Sequence, residues 1–131
     1  MKRLTLLSLI LLSMMAKADK DRFIQQLTLP DGQTVMIDEG DREPRSTGSY
    51  SIRLYSGIEP KFPTDDFLYG EIRRRDGSIK SVELDATESK SNPAIVIIIE
   101  SAGSGDYLSV DKFKLSNNKQ QLQLMGNSGE N

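Results

Sequence analysis

The chain has 131 residues, enough for one domain with its own core, and it carries 17 basic residues against 19 acidic ones. It contains no cysteine, no histidine and no tryptophan. Those absences exclude disulfides, a Ser-His-Asp triad, a cysteine nucleophile and a zinc site built on nitrogen or sulfur ligands, and the acidic balance disfavours a nucleic-acid partner.

The N-terminus has the layout of a secretory signal peptide. Lys2 and Arg3 precede an apolar stretch from Leu4 to Met15, and Ala16-Lys17-Ala18 puts small residues at the two positions a signal peptidase reads. The apolar stretch is shorter than the roughly 20 residues a membrane span needs. An N-terminal anchor or amphipathic helix is the alternative, disfavoured by the charged Asp19-Lys20-Asp21-Arg22 that follows at once. The expectation is a signal peptide at 1–18 and a single exported domain at 19–131, with no membrane span in the mature chain. Removing 18 of 131 residues takes away Lys2, Arg3 and Lys17 and leaves 113 residues, with 14 basic and 19 acidic and a net charge of −5. Such a charge serves solubility and mildly favours a cationic partner.

Strand signals then follow one another. Phe23 to Leu29 and Gln33 to Ile37 flank Pro30-Asp31-Gly32, where Asp-Gly supplies the positive φ of a tight hairpin, and alternation puts Val35 and Ile37 on one face. Asp38 to Ser49, rich in Gly, Pro, Ser and charge, reads as a long loop with freedom to move. Ser51 to Tyr55 alternates, with Ile52 and Leu54 inward. Phe67 to Arg73 and Ser78 to Asp85 flank Asp76-Gly77 and read as a second hairpin. Ala94 to Ile99 is a continuous apolar run, the pattern of a strand buried on both faces. Tyr107 to Leu115, a turn at Ser116 to Lys119, and an alternating Gln120 to Leu124 close the domain before a polar tail from Gly126. About eight closely spaced strands and no helix predict an all-β fold, an antiparallel β-sandwich or flattened barrel.

The chemistry that remains is sparse. Asp38-Glu39, Asp65-Asp66 and Asp76 offer carboxylates for a glycosidase pair, and Asp38, Glu39 and Asp41 for a calcium ion, but acids in turns are as a rule solvated and the spacing fits no EF-hand. Arg73-Arg74-Arg75 reads as a solvated strand end. No Walker loop or dinucleotide fingerprint is present, and no cofactor is expected. One loop stands out, Ser101-Ala102-Gly103-Ser104-Gly105-Asp106-Tyr107, which directly follows the isoleucine-rich strand. Its glycines permit close backbone approach, Ser104 brings a rotatable hydroxyl, and Tyr107 brings a rigid ring with a phenolic donor. An ordinary hairpin loop with a core-capping tyrosine fits the composition equally well.

The Ser-Gly-x-Tyr element Ser104-Gly105-Asp106-Tyr107, after an isoleucine-rich strand in an exported cysteine-free β domain with a Leu-Pro-Asp-Gly hairpin, resembles the periplasmic bacterial inhibitors of invertebrate-type (i-type) lysozyme. The resemblance covers the whole mature chain. It implies a periplasmic protein, not an enzyme, whose partner is an i-type lysozyme. It also implies a lysozyme-binding set made of Gly103, Ser104, Gly105, Asp106 and Tyr107. A related family, directed at chicken-type lysozyme, adds a basic side chain from a neighbouring hairpin turn, for which Lys119 is the positional counterpart. That family often carries disulfides, which this chain lacks. Two readings compete: a periplasmic carbohydrate- or cell-wall-binding module, poorly served by four Phe, four Tyr and no Trp, and a hydrolase with paired acids. An exposed sheet edge would allow a homodimer.

Overall fold

A computed structural model describes residues 21–103, 105 and 107–127. The proposed signal peptide at 1–18 and the last residues of the polar tail lie outside them. Eight strands form two four-stranded antiparallel sheets. The first sheet runs β1 (Ile24–Thr28), β2 (Thr34–Glu39), β3 (Gly48–Tyr55), β4 (Phe67–Arg75), and the second β5 (Ser78–Asp85), β6 (Ala94–Glu100), β7 (Leu108–Leu115), β8 (Leu122–Asn127). Each sheet is a meander in chain order, so every neighbouring pair is joined by a simple return and the chain crosses between sheets once. This is the sandwich that the strand pattern predicts.

The core lies between the sheets because side chains alternate across each strand. Val35 and Ile37 of β2, Tyr50, Ile52 and Leu54 of β3, Ile79 and Val82 of β5, Ile95, Ile97 and Ile99 of β6, Phe113 of β7 and Leu122 of β8 form one buried cluster. The apolar run in β6 is buried on one face only. Val96 and Ile98 point outward and are half-buried, since a two-layer sandwich leaves each sheet with an outer face.

The two Asp-Gly sites do different jobs. The first closes the β1–β2 hairpin, although not as a two-residue turn. Leu29 and Gln33 pair across it, the Gly32 N–H donates to Leu29 O at 2.9 Å, and Gly32 alone takes a positive φ of 94°. Asp31 instead accepts the Gln33 N–H at 3.0 Å through its side chain. The second, Asp76-Gly77, does not form a hairpin. β4 pairs with β3 and β5 pairs with β6, so this dipeptide carries the chain from one sheet to the other.

The alternation of direction sorts the connections into two ends. One end holds the β2–β3 loop (40–47), the crossover at 76–77 and the β6–β7 loop (101–107). The opposite end holds the turns at 29–33, 56–66, 86–93 and 116–121.

Candidate functional site

The β6–β7 loop is pinched at its base. Ser101 N–H donates to Tyr107 O at 2.8 Å, one step beyond the Glu100–Leu108 ladder pair, and the Ser101 hydroxyl accepts the Gly103 N–H at 3.2 Å. Tyr107 does not cap the core; 71% of it is exposed, and Leu108 beside it is half-exposed. Its ring lies over Gly105, where an ideal Cβ would stand 2.1 Å from Tyr107 Cε2. Gly105 therefore has no room for a side chain while the ring holds this pose. Gly103 is exposed and meets only the Ser101 hydroxyl. The positions of Ser104 and Asp106 lie outside the described residues.

Lys119 is not brought to this loop. It sits in the β7–β8 turn, at the far end of the eight-residue strand β7, a separation of roughly 25 Å at about 3.3 Å per residue. It takes a left-handed φ of 58°, and its carbonyl accepts a 2.8 Å hydrogen bond from Gln33 Nε2, which ties the second sheet to the first hairpin.

Below the loop end is a charged cluster that sequence reasoning placed in solvent. Arg75 and Glu39 are each 1% exposed. The Arg75 guanidinium donates to four backbone carbonyls: Ser49 O (2.7 Å), Arg45 O (2.6 Å), Gly77 O (2.8 Å) and Pro44 O (2.9 Å). It also lies 3.6 Å from Glu39 and 3.5 Å from Glu43. The Glu39 carboxylate accepts from Phe23 N–H (2.8 Å), Arg45 Nε (3.0 Å) and Ile79 N–H (3.0 Å). A buried charge pair is tolerated only when its donors and acceptors are filled in this way. Glu43 accepts the Ser49 N–H and hydroxyl, at 2.6 and 2.9 Å. The backbone N–H of Ser49 is the main cause that holds the Glu43 carboxyl below its ordinary 4.5. The 38–49 segment, expected to be a loop with freedom to move, instead gives its ends to β2 and β3, and its middle is strapped to the first sheet by Arg75 and to the second by Arg45 Nη2, which donates to Ile79 O at 3.3 Å.

A second polar cluster lies under β4. Tyr50, fully buried, donates its hydroxyl to Asp111; Arg73 pairs with Glu71 at 2.7 Å and sits 6.0 Å over the Phe113 ring. Burial, reinforced by Asp111, pushes the Tyr50 phenol above its usual range, so it remains a donor. The carboxylates weighed as a glycosidase pair are otherwise engaged or apart. Asp38 faces the outer side of the first sheet with Arg22 (3.2 Å) and Arg53 (3.5 Å), its neighbour Glu39 faces inward, and Asp65 and Asp66 are exposed at the opposite end. Among the described residues, no group of three or more His, Cys, Asp or Glu is arranged to hold a metal ion.

The sequence pattern of the family described as periplasmic lysozyme inhibitor of I-type lysozyme matches residues 21–129. The crystal structure of PliI-Ah, the periplasmic inhibitor of I-type lysozyme from Aeromonas hydrophila, is 48% identical, with a TM-score of 0.76 over 82% of this chain and 89% of that one. The A. hydrophila inhibitor in complex with Meretrix lusoria lysozyme is likewise 48% identical, with a TM-score of 0.72 over 80% and 83% of the two chains. No curated protein sequence matches the chain. Fold, family pattern and nearly half-identical neighbours agree: the chain belongs to the family of periplasmic inhibitors of I-type lysozyme.

Proposed function

We propose that this chain inhibits an invertebrate-type lysozyme by inserting its β6–β7 loop into the enzyme's active-site cleft. The observation that carries the reading is Tyr107, a large aromatic 71% exposed on a short loop that is closed at its base by the Ser101–Tyr107 hydrogen bond. An exposed tyrosine on a rigid support is the side-chain type that anchors interfaces. Lysozymes cleave glycosidic bonds with acidic groups in a cleft, and a hydroxyl is a fitting donor to such a carboxylate. On this reading Ser104 donates to a catalytic carboxylate, Tyr107 packs against the cleft wall, and Gly103 and Gly105 keep the inserted segment narrow. The A. hydrophila relative solved with a lysozyme supports a protein partner of this class. Residues 1–18 act as a cleaved signal peptide, and 19–131 is the mature domain in the periplasm, where an incoming lysozyme meets its substrate.

A hydrogen bond to a charged group contributes about 1.5–3 kcal/mol, and truncating an aromatic anchor costs about 2 kcal/mol or more. A tight inhibitor buries around 1,600 Å² in total, so the neighbouring 40–47 loop completes the contact. Titration of i-type lysozyme activity with purified Ser104→Ala and Tyr107→Ala proteins tests the reading. Each substitution is expected to raise the inhibition constant by about tenfold or more, with thermal unfolding unchanged. A folded double variant that inhibits as well as the parent refutes it.

A further inference from the structure

The β6–β7 loop is not held by its own strands alone. β5 lies beside β6, and the pair Ser78–Glu100 is the last rung before the loop departs. The residue before that rung, Gly77, has a positive φ of 131°, and an ideal Cβ on it would lie 2.1 Å from Glu100 O and 3.0 Å from Ser101 Cα. The crossover backbone is therefore packed directly against the point where the chain leaves β6. Gly77 is in turn fixed from below, because its carbonyl accepts a buried 2.8 Å bond from Arg75 Nη1. The same guanidinium holds Pro44 and Arg45 of the β2–β3 loop and Ser49 of β3, and the Glu39 carboxylate that faces it holds Ile79 N–H of β5. A continuous run of short contacts leads from a buried ion pair, through one glycine carbonyl, to the loop's base.

We propose that Arg75 and Gly77 are positioning residues for lysozyme binding: they hold the base of the β6–β7 loop in its binding-competent orientation from the opposite sheet without touching the enzyme. This rests on the reading that the loop is the inserted element. A loop fixed in advance avoids the ordering cost of binding. Loosening its base lowers the fraction of molecules ready to bind, and the apparent Kd rises by the inverse of that fraction. The loss then falls on association. Truncating a contacting side chain acts mainly on dissociation.

The test compares the full mature chain with Gly77→Ala, Arg75→Lys and the Ser104→Ala/Tyr107→Ala double variant, at a temperature where all are folded, by binding kinetics on i-type lysozyme and amide hydrogen exchange. Gly77→Ala places a methyl against Glu100 O. Arg75→Lys keeps the charge but cannot span four carbonyls. Both are expected to lower kon about tenfold while koff stays within about twofold. The Ser101 amide should exchange faster by more than any change shared by the β2 and β3 core amides, which report global stability. A parental kon in both positioning variants, or a loss confined to koff, overturns the proposal. A double variant that binds like the parent instead sinks the loop reading itself, so the two failures are told apart.

Discussion

Replacing Arg75 by methionine removes a guanidinium while keeping most of its apolar stem. Four backbone carbonyls lose their donor, at distances of 2.6 to 2.9 Å, and the 1%-exposed Glu39 loses the charge 3.6 Å away. Breaking a buried ion pair from one side costs about 3–5 kcal/mol. Glu39 keeps Arg45 Nε at 3.0 Å and two backbone N–H donors, which places the expected loss near the lower bound, about 3 kcal/mol. Against a total stability of roughly 5–15 kcal/mol, that is a large fraction. With a urea m-value of about 1.5 kcal/mol/M, the unfolding midpoint falls by about 2 M. Urea titration followed by circular dichroism measures it, with Arg74→Met as control. Arg74 is the exposed neighbour in the same arginine run, and its loss should stay within about 0.5 kcal/mol. The double variant Glu39→Met/Arg75→Met should recover part of the loss, since it leaves no buried carboxylate behind. If Arg75→Met costs less than about 1 kcal/mol, no more than a surface pair, the cluster does not hold the loop end together.

Two further predictions follow from single sites. The Glu43 carboxyl is lowered from 4.5 by the Ser49 backbone N–H and hydroxyl, so its contribution is present above the unfolded value and is lost as pH falls through the folded one. Glu43→Gln should therefore flatten the stability profile below about pH 4.5 and leave its shape near neutrality unchanged; an equally steep acid limb in the variant contradicts this. Lys119→Asn, which keeps a residue suited to the left-handed backbone, should inhibit lysozyme within about twofold of the parent. A tenfold weaker inhibitor would show that the end carrying the 116–121 turn touches the enzyme.

The strands were legible because period-2 alternation reports which side chains share a face, as Val35 with Ile37 and Ile52 with Leu54 show. What alternation does not report is the pairing partner. The dipeptide Asp-Gly serves wherever the chain needs a positive φ, and nothing local distinguishes the hairpin at Gly32 from the sheet crossover at Gly77. The burial of Arg75 was hidden for a related reason. Glu39 is 36 positions away in sequence, and a charged residue beside two other arginines is ordinarily solvated. The one hint was the pairing of acids and bases inside an otherwise polar 38–49 segment, a signal too common to decide anything. The loop itself was recognisable from composition, and the exposure of Tyr107 follows the half of that reading that favoured contact. Lys119 was attached to it by analogy along the chain, and the direction of β7 separates them.

Hydrogen exchange of the mature chain, free and saturated with an i-type lysozyme, tests most directly which part of the molecule enters the enzyme. The account predicts that new protection concentrates on 101–108, with a weaker effect on 40–47. Protection confined to the opposite turns, 29–33, 56–66, 86–93 and 116–121, with the β6–β7 loop exchanging as in the free protein, would contradict it.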